Sequence, residues 1–205
     1  MFKLETHCHT SEVSGCSRLP AVQLVTQLKR SGYGGAVITD HFHHGYFDSL
    51  TGSWTQKIDC FLSGYRAACE AGAQAGLHIY CGLEFRTTTS DNDYLLFGAA
   101  PELLYSTPEL HRYTIPQLRA LADREEVFNG NARHDSHNDD ALRFARENGL
   151  LFFSGSDHHE TEDRGRGGMV LPREPKDEAD LVRLLPSAGL LPDILLEFFP
   201  VKPEK

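Results

Sequence analysis

The sequence has no long apolar run. Nowhere do its 205 residues approach the roughly 18 consecutive apolar positions that a membrane helix needs. The opening Met-Phe-Lys-Leu-Glu-Thr-His also lacks the apolar stretch of a secretory signal. Cysteines are few: Cys8, Cys16, Cys60, Cys69 and Cys81 form an odd, scattered set with no CxxC pair. That pattern favours reduced thiols in a cytoplasmic protein over a disulfide framework. Basic residues are outnumbered, 20 Lys and Arg against 29 Asp and Glu, for a formal net charge of -9. An extended nucleic-acid duplex is therefore a poor partner, because phosphate backbones are held by an excess of Lys and Arg. A small anionic substrate stays open, and clustered carboxylates suit divalent cations. Repeats, low-complexity tracts and long linkers are absent, so residues 1–205 read as a single domain around one core.

Histidine, by contrast, is plentiful. Of 11 histidines, seven fall in the tight clusters His7/His9, His41/His43/His44 and His158/His159. Surface histidines scatter, whereas clusters at the ends of apolar runs suggest a shared site. The runs themselves alternate with helical patterns. Strands are expected at 2–5, 34–39, 77–83, 94–98, 127–128, 150–154 and 194–199. Helices are expected at 20–31 (Val22, Val25 and Leu28 near helical spacing), 56–76, 116–125, 138–148 (ended by Gly149) and 176–185. This alternation implies an α/β fold of parallel strands joined by crossover helices. The clustered residues sit at the carboxyl ends of four different strands, which favours a closed barrel over an open sheet. His43 and His44 read as loop residues.

Five motifs carry chemistry. In Thr6-His-Cys-His-Thr10, alternate side chains of an extended segment share a face, so His7 and His9 point together and Cys8 points away. Thr39-Asp-His41 places ionisable groups at the mouth of a buried strand. There Asp40 could ligate, orient a ligand or cap a turn. In Gly82-Leu-Glu84-Phe-Arg86 a carboxylate ends an apolar strand and needs a partner. Arg86 could contact phosphate, or pair with Glu84 or Asp91. Ser154-Gly-Ser-Asp157-His-His159 puts Asp157 and His159 on one side of a loop. Arg164-Gly-Arg166-Gly-Gly168 offers backbone amides and two guanidiniums to an anion, or makes a solvated turn.

Together, HCHT at 7–10, TDH at 39–41, GLEF at 82–85, EVFNG at 126–130 and GSDHH at 155–159 resemble the PHP (polymerase and histidinol phosphatase) family of metal-dependent phosphoesterases. The resemblance implies a distorted seven-stranded β/α barrel with two or three divalent metals. By position, it makes His7, His9, Glu84 and Asp157 ligands of one metal, with Glu84 bridging to a second and His41 and His159 serving a third. Ligation by histidine and carboxylate suits Mn, Fe or Zn. The chain departs from the family pattern near Arg124–Val127. A strand ending in a metal-ligating histidine is missing there, and two family-like segments abut in ADREEVFNG. Loss in the gene, deletion from the expressed chain or omission from the recorded sequence would each give this join. His111, His134 and His137 are weak substitutes for the absent ligand, His134 the best of them. Asp93 stands where many relatives have another histidine, and Glu12 is the nearest substitute for a further third-metal ligand.

The expected reaction is hydrolysis of a small phosphate ester by a metal-activated water. Arg86, Arg164 or Arg166 would hold the substrate phosphate, and His41, Asp157 or His159 would protonate the leaving alcohol. The rivals are a metal-dependent amide or lactone hydrolase on a related barrel, and a non-catalytic metal-binding or regulatory domain.

Overall fold

The computed structural model describes residues 1–89, 93–114, 124–129, 137–147, 151–163, 165–187 and 189–190. The first half contains β1 (Phe2–Cys8), α1 (Ala21–Arg30), β2 (Gly35–Ile38), β3 (His41–His43), α2 (His44–Ser49), α3 (Trp54–Phe61), α4 (Ser63–Ala75), β4 (His78–Arg86), β5 (Asp93–Phe97) and α5 (Pro101–Ser106). Beyond it come β6 (Arg124–Asn129), α6 (Asn138–Glu147), β7 (Leu151–Gly155), β8 (Met169–Leu171), α7 (Glu178–Leu184) and β9 (Gly189–Leu190).

The sheet is mixed. Its strand order is β3-β4-β2-β1-β8-β9, with β5 on β4. β1, β2, β3 and β4 pair in parallel, as expected. β5, β8 and β9 run antiparallel to their neighbours, against the expectation of parallel strands throughout. A separate parallel pair, β6-β7, meets the sheet at the bridge between Cys8 and His158. Among the described residues no continuous ladder closes a ring. The architecture is an α/β fold of mixed sheet and flanking helices.

β3 continues β2 in the same register on β4. Gly35 lies opposite His78 and His41 opposite Glu84, with Thr39 and Asp40 as the interruption between them. His43 and His44 are thus not loop residues: His43 ends β3, and its ring accepts from Tyr46 N to cap α2.

Local chemistry sets the helices. α1 buries Ala21, Leu24, Val25 and Leu28; of the expected Val22, Val25 and Leu28, only Val22 is exposed. That face packs with Ala36 and Ile38 of β2 and Ala68 of α4. The single helix expected at 56–76 is two. Ser53 and Gln56 form a capping box at the start of α3, the chain breaks at Leu62, and Gly76 ends α4 in the left-handed conformation. A second cluster is aromatic, built on Phe42, Phe47, Phe61 and Phe85. A third joins Leu4 and Val37 to Leu142, Phe153 and Met169, and so ties the two strand groups together.

The helix expected at 116–125 lies outside the described residues as far as 123, and Arg124 and Glu125 belong to β6. The chain is continuous through that join. The strand expected at 194–199 lies outside the described residues.

Candidate metal centre

β1 delivers His7 and His9 to one side while Cys8 Sγ turns back to Val37 O in the core. The loop after β7 clamps across the end of β1: His158 N donates to His7 O and His9 N donates to His158 O, both at 3.1 Å. Alternation in this second extended segment brings Asp157 and His159 to the same side. β4 supplies Glu84 and β3 supplies His41 directly opposite it.

These six side chains, named from the sequence, converge. His7 Nε2 lies 3.2 Å from Glu84 and 3.4 Å from Asp157. His9 Nε2 lies 3.5 Å from Glu84 and 3.3 Å from Asp157. His41 Nδ1 is 2.6 Å from Glu84 Oε2, and His159 Nδ1 is 3.1 Å from Asp157 Oδ1. All are buried except His41, which is partly open. Two overlapping donor sets have atoms within 4.8 Å of one another and could each hold a metal ion: His7, His9 and Glu84, and His9, His41 and His159.

Electrostatics fit cation binding. Burial would raise Glu84 and Asp157, but neighbouring histidines hold both carboxyls well below the ordinary range. Burial pushes His9 down to about 3, leaving the neutral imidazole that ligation requires. His9 Nε2 is buried without a hydrogen bond of proper geometry. Orphaned polar atoms of this kind are costly unless an ion satisfies them. The residues present therefore fit divalent metals.

Residues 135–187 match a family model described as PHP-associated. The chain also superposes on a two-domain protein from Bacteroides vulgatus that contains a predicted PHP-like metal-dependent phosphoesterase. The TM-score is 0.58 at 12% identity, over 93% of this chain and 64% of that one. The chain thus shares the fold of that protein, and residues 135–187 resemble the PHP-associated family. It spans less than two thirds of the Bacteroides protein's length. A protein from Bifidobacterium adolescentis, provisionally assigned as a metal-dependent phosphoesterase, aligns with a TM-score of 0.47 at 14% identity, over 89% of this chain and 95% of that one. No curated protein matches the chain.

Other candidates sit elsewhere in the chain. Arg86 makes a bidentate pair with Asp93, at 2.7 and 2.5 Å; Asp91 lies outside the described residues. It still lines a pocket of about 370 Å³ with Ser14, Cys16, His41, His43 and Tyr46. Asp93 is thereby held on Arg86, and does not replace a ligand histidine. Glu12 accepts from Ala21 N at the start of α1, which removes it as a third-metal ligand. Asp40 binds no donor set. It accepts from Thr10 N, Thr10 Oγ1 and Ser14 Oγ, each at 2.7 Å, and so holds the loop behind His9. His111 is stacked on Phe47 and Trp54, and His137 is exposed before α6. Arg166 is exposed, and its loop uses glycine for packing: a Cβ on Gly167 would meet Gly155 C at 2.1 Å. His134 and Arg164 lie outside the described residues.

Sequence reasoning missed Glu5 and Cys16. Glu5 is fully buried and accepts from Thr6 N, His7 N, Ser156 N and Ser156 Oγ, so it fastens β1 to the Asp157 loop. Its place two residues before His7 on one strand, at the same parity, was the available signal. Cys16 Sγ lies 3.1 Å from both His41 Nε2 and His159 Nε2. Burial would raise its thiol, but the two rings outweigh this and bring it down to about 6.

Proposed function

We propose that the chain hydrolyses a small phosphate ester at a multinuclear centre of two or three divalent transition metals (Mn, Fe or Zn), within one domain. The observation that carries the reading is the pair of donor sets sharing His9. His7, His9, Glu84 and Asp157 would hold one ion, with Glu84 shared, and His41 and His159 would hold another. Bound cations supply Lewis-acid charge and bring the pKa of a water toward neutrality. The chain's own residues do the rest. Glu84 and Asp157 remain ionised at any working pH and fix the rings of His41 and His159. His41 and His159 are held protonated up to about 10 in the metal-free protein, although burial alone would lower them. Where they hold no ion, either could pass a proton to the leaving alkoxide. Arg86, leashed by Asp93 in the pocket wall, faces the side from which an anion enters. Arg166 and Arg164 are further candidates for phosphate.

The test is turnover of p-nitrophenyl phosphate and bis(p-nitrophenyl) phosphate by the full chain loaded with Mn, Fe(II) or Zn. A carboxamide and a lactone are assayed beside them. Metal-dependent phosphoester turnover is expected. Glu84→Gln should lower kcat/KM by at least about 100-fold, or about 2.7 kcal/mol of transition-state stabilisation. Turnover of only the carboxamide or lactone would establish the rival hydrolase. Bound metal without any turnover would establish a non-catalytic metal-binding domain. The neutralisation of Arg86 by Asp93 favours that last reading over the amide hydrolase.

A further inference from the structure

We propose that Tyr46 is a substrate-binding residue: its hydroxyl, with His43 and the Arg86–Asp93 pair, holds the organic part of the ester and selects an uncharged polyol or sugar as the leaving alcohol. The proposal rests on the phosphoester reading above and adds to it a subsite one step further out than the metals.

Strand register sets that step. On the paired strands β3 and β4, His41 lies opposite Glu84 and His43 opposite Arg86. Alternate residues share a face, so His43 and Arg86 stand on the ligand face, about 7 Å beyond the His41–Glu84 rung. The chain then turns into α2. There His43 Nδ1 accepts from Tyr46 N at 3.3 Å, which brings Tyr46 back to this outer rung. His43, Tyr46 and Arg86 all line the pocket of about 370 Å³ that reaches His41. An ester whose phosphoryl group sat at the metals would lay its alcohol along this wall.

Two observations give the alcohol its character. The first is the Tyr46 side chain. Its ring is braced edge-on by Phe47, with centroids 5.2 Å apart, and by Phe61 at 6.1 Å. Its hydroxyl has no hydrogen-bond partner among the described residues. A ring that only filled the aromatic cluster would need no hydroxyl, and a tyrosine hydroxyl in an enclosed place usually finds a partner. The second is charge. Arg86 is the wall's cation, and Asp93 takes two of its donors at 2.7 and 2.5 Å. What charge remains faces the scissile phosphate. A second phosphate or a carboxylate would enter beside Asp93 with no cation to offset it. The groups left over are a phenol that donates and accepts, the Nε2 of His43 and the oxygens of Asp93. Alcohol hydroxyls, which also donate and accept, match that mixture.

The experiment uses the full chain loaded with Mn. Glycerol 3-phosphate, ethyl phosphate and 3-phosphoglycerate share a primary-alcohol phosphate and differ in hydroxyls and charge. In kcat/KM, glycerol 3-phosphate should exceed each of the others by about tenfold or more, through KM, as hydrogen bonds of ordinary strength would give. Tyr46→Phe deletes the hydroxyl alone. It should cut the ratio of glycerol 3-phosphate to ethyl phosphate by about fivefold while the urea midpoint stays where it is. Calorimetry gives a readout without turnover: 3,4-dihydroxybutylphosphonate should bind more tightly than butylphosphonate, and Tyr46→Phe should erase most of that difference. Either control ester turned over as well as glycerol 3-phosphate, or both ratios unchanged in Tyr46→Phe, overturns the proposal alone. So does hydrolysis of p-nitrophenyl phosphate with none of the three esters. A loaded chain that hydrolyses no phosphate ester at all overturns the phosphoester reading itself.

Discussion

Asp157 sits at φ 48°, in the left-handed region that Asn and Asp tolerate better than other non-glycine residues. Asp157→Asn therefore keeps the backbone and removes only the charge. It should weaken metal affinity by at least tenfold and, by removing the charge that pairs with His159, lower the stability of the metal-free protein, measured by metal titration beside urea unfolding. Glu5 makes a different prediction. Burial raises its carboxyl to about 7, against its Ser156 and His7 hydrogen bonds, from an ordinary 4.5. Between those values the folded chain holds a proton that the unfolded chain has lost. Stability contributed by Glu5 is therefore present below pH 4.5 and is lost as pH rises to about 7. Glu5→Gln should flatten that decline in chelator-treated protein, seen in urea midpoints across the pH series. An equal slope in both proteins would refute it. Neither Glu5 nor Cys16 stood out in the sequence, because their roles depend on partners 151 and 143 positions away.

At the scale of elements, α4 supports the centre through Gly64. A Cβ there would lie 1.9 Å from Thr10 Oγ1 and 3.0 Å from Asp40 Oδ2, the pair that holds the loop behind His9. Glycine to alanine in a helix ordinarily stabilises by about 0.5–1 kcal/mol. Gly64→Ala should have the opposite sign, lowering the urea midpoint and weakening metal binding although it touches no ligand. Gly167→Ala, pressed on the Gly155 backbone, should cost about 3 kcal/mol or more or prevent folding, judged by circular dichroism. Elements with strong period or caps were legible: α1, β4, β5, α6 and β7 fall within a residue or three of the expected bounds. The edge of the buried face of α1 was not, because Val22 and Ala21 are both apolar and only packing distinguishes them. β3 was hidden by its polar composition, His-Phe-His, which suits a strand only because His41 has Glu84 across from it.

On the scale of the whole molecule, the centre joins two groups of strands. His7 and His9 come with the seven-stranded sheet, Asp157 and His159 with the β6-β7 pair, and Thr6 Oγ1 donates to Ser154 O across the same seam. A cation shared across that seam binds the folded chain alone, so it stabilises by mass action, about 2.7 kcal/mol at 100 times its Kd. Zn should raise the melting temperature and a chelator should reverse this, while His9→Ala should show no shift with Zn. The convergence of six side chains was legible because ligands follow apolar runs. Strand direction was not, since an apolar run reads the same either way: the run expected at 94–98 forms β5 antiparallel to β4, and β8, three residues long and not expected, pairs antiparallel to β1. Among the described residues no helix is long and apolar enough to cross a membrane.

The opposed aim of His7 and Cys8 has a consequence for how β1 can vary. Which of its side chains meet the metals is a matter of parity, counted from the pairing of Phe2, Lys3 and Leu4 with β8. Inserting one residue between Leu4 and His7 would invert that count, turning both imidazoles into the packed side and offering Cys8 in their place. Substitutions along the strand change one side chain each; a single-residue insertion or deletion exchanges the centre for the core.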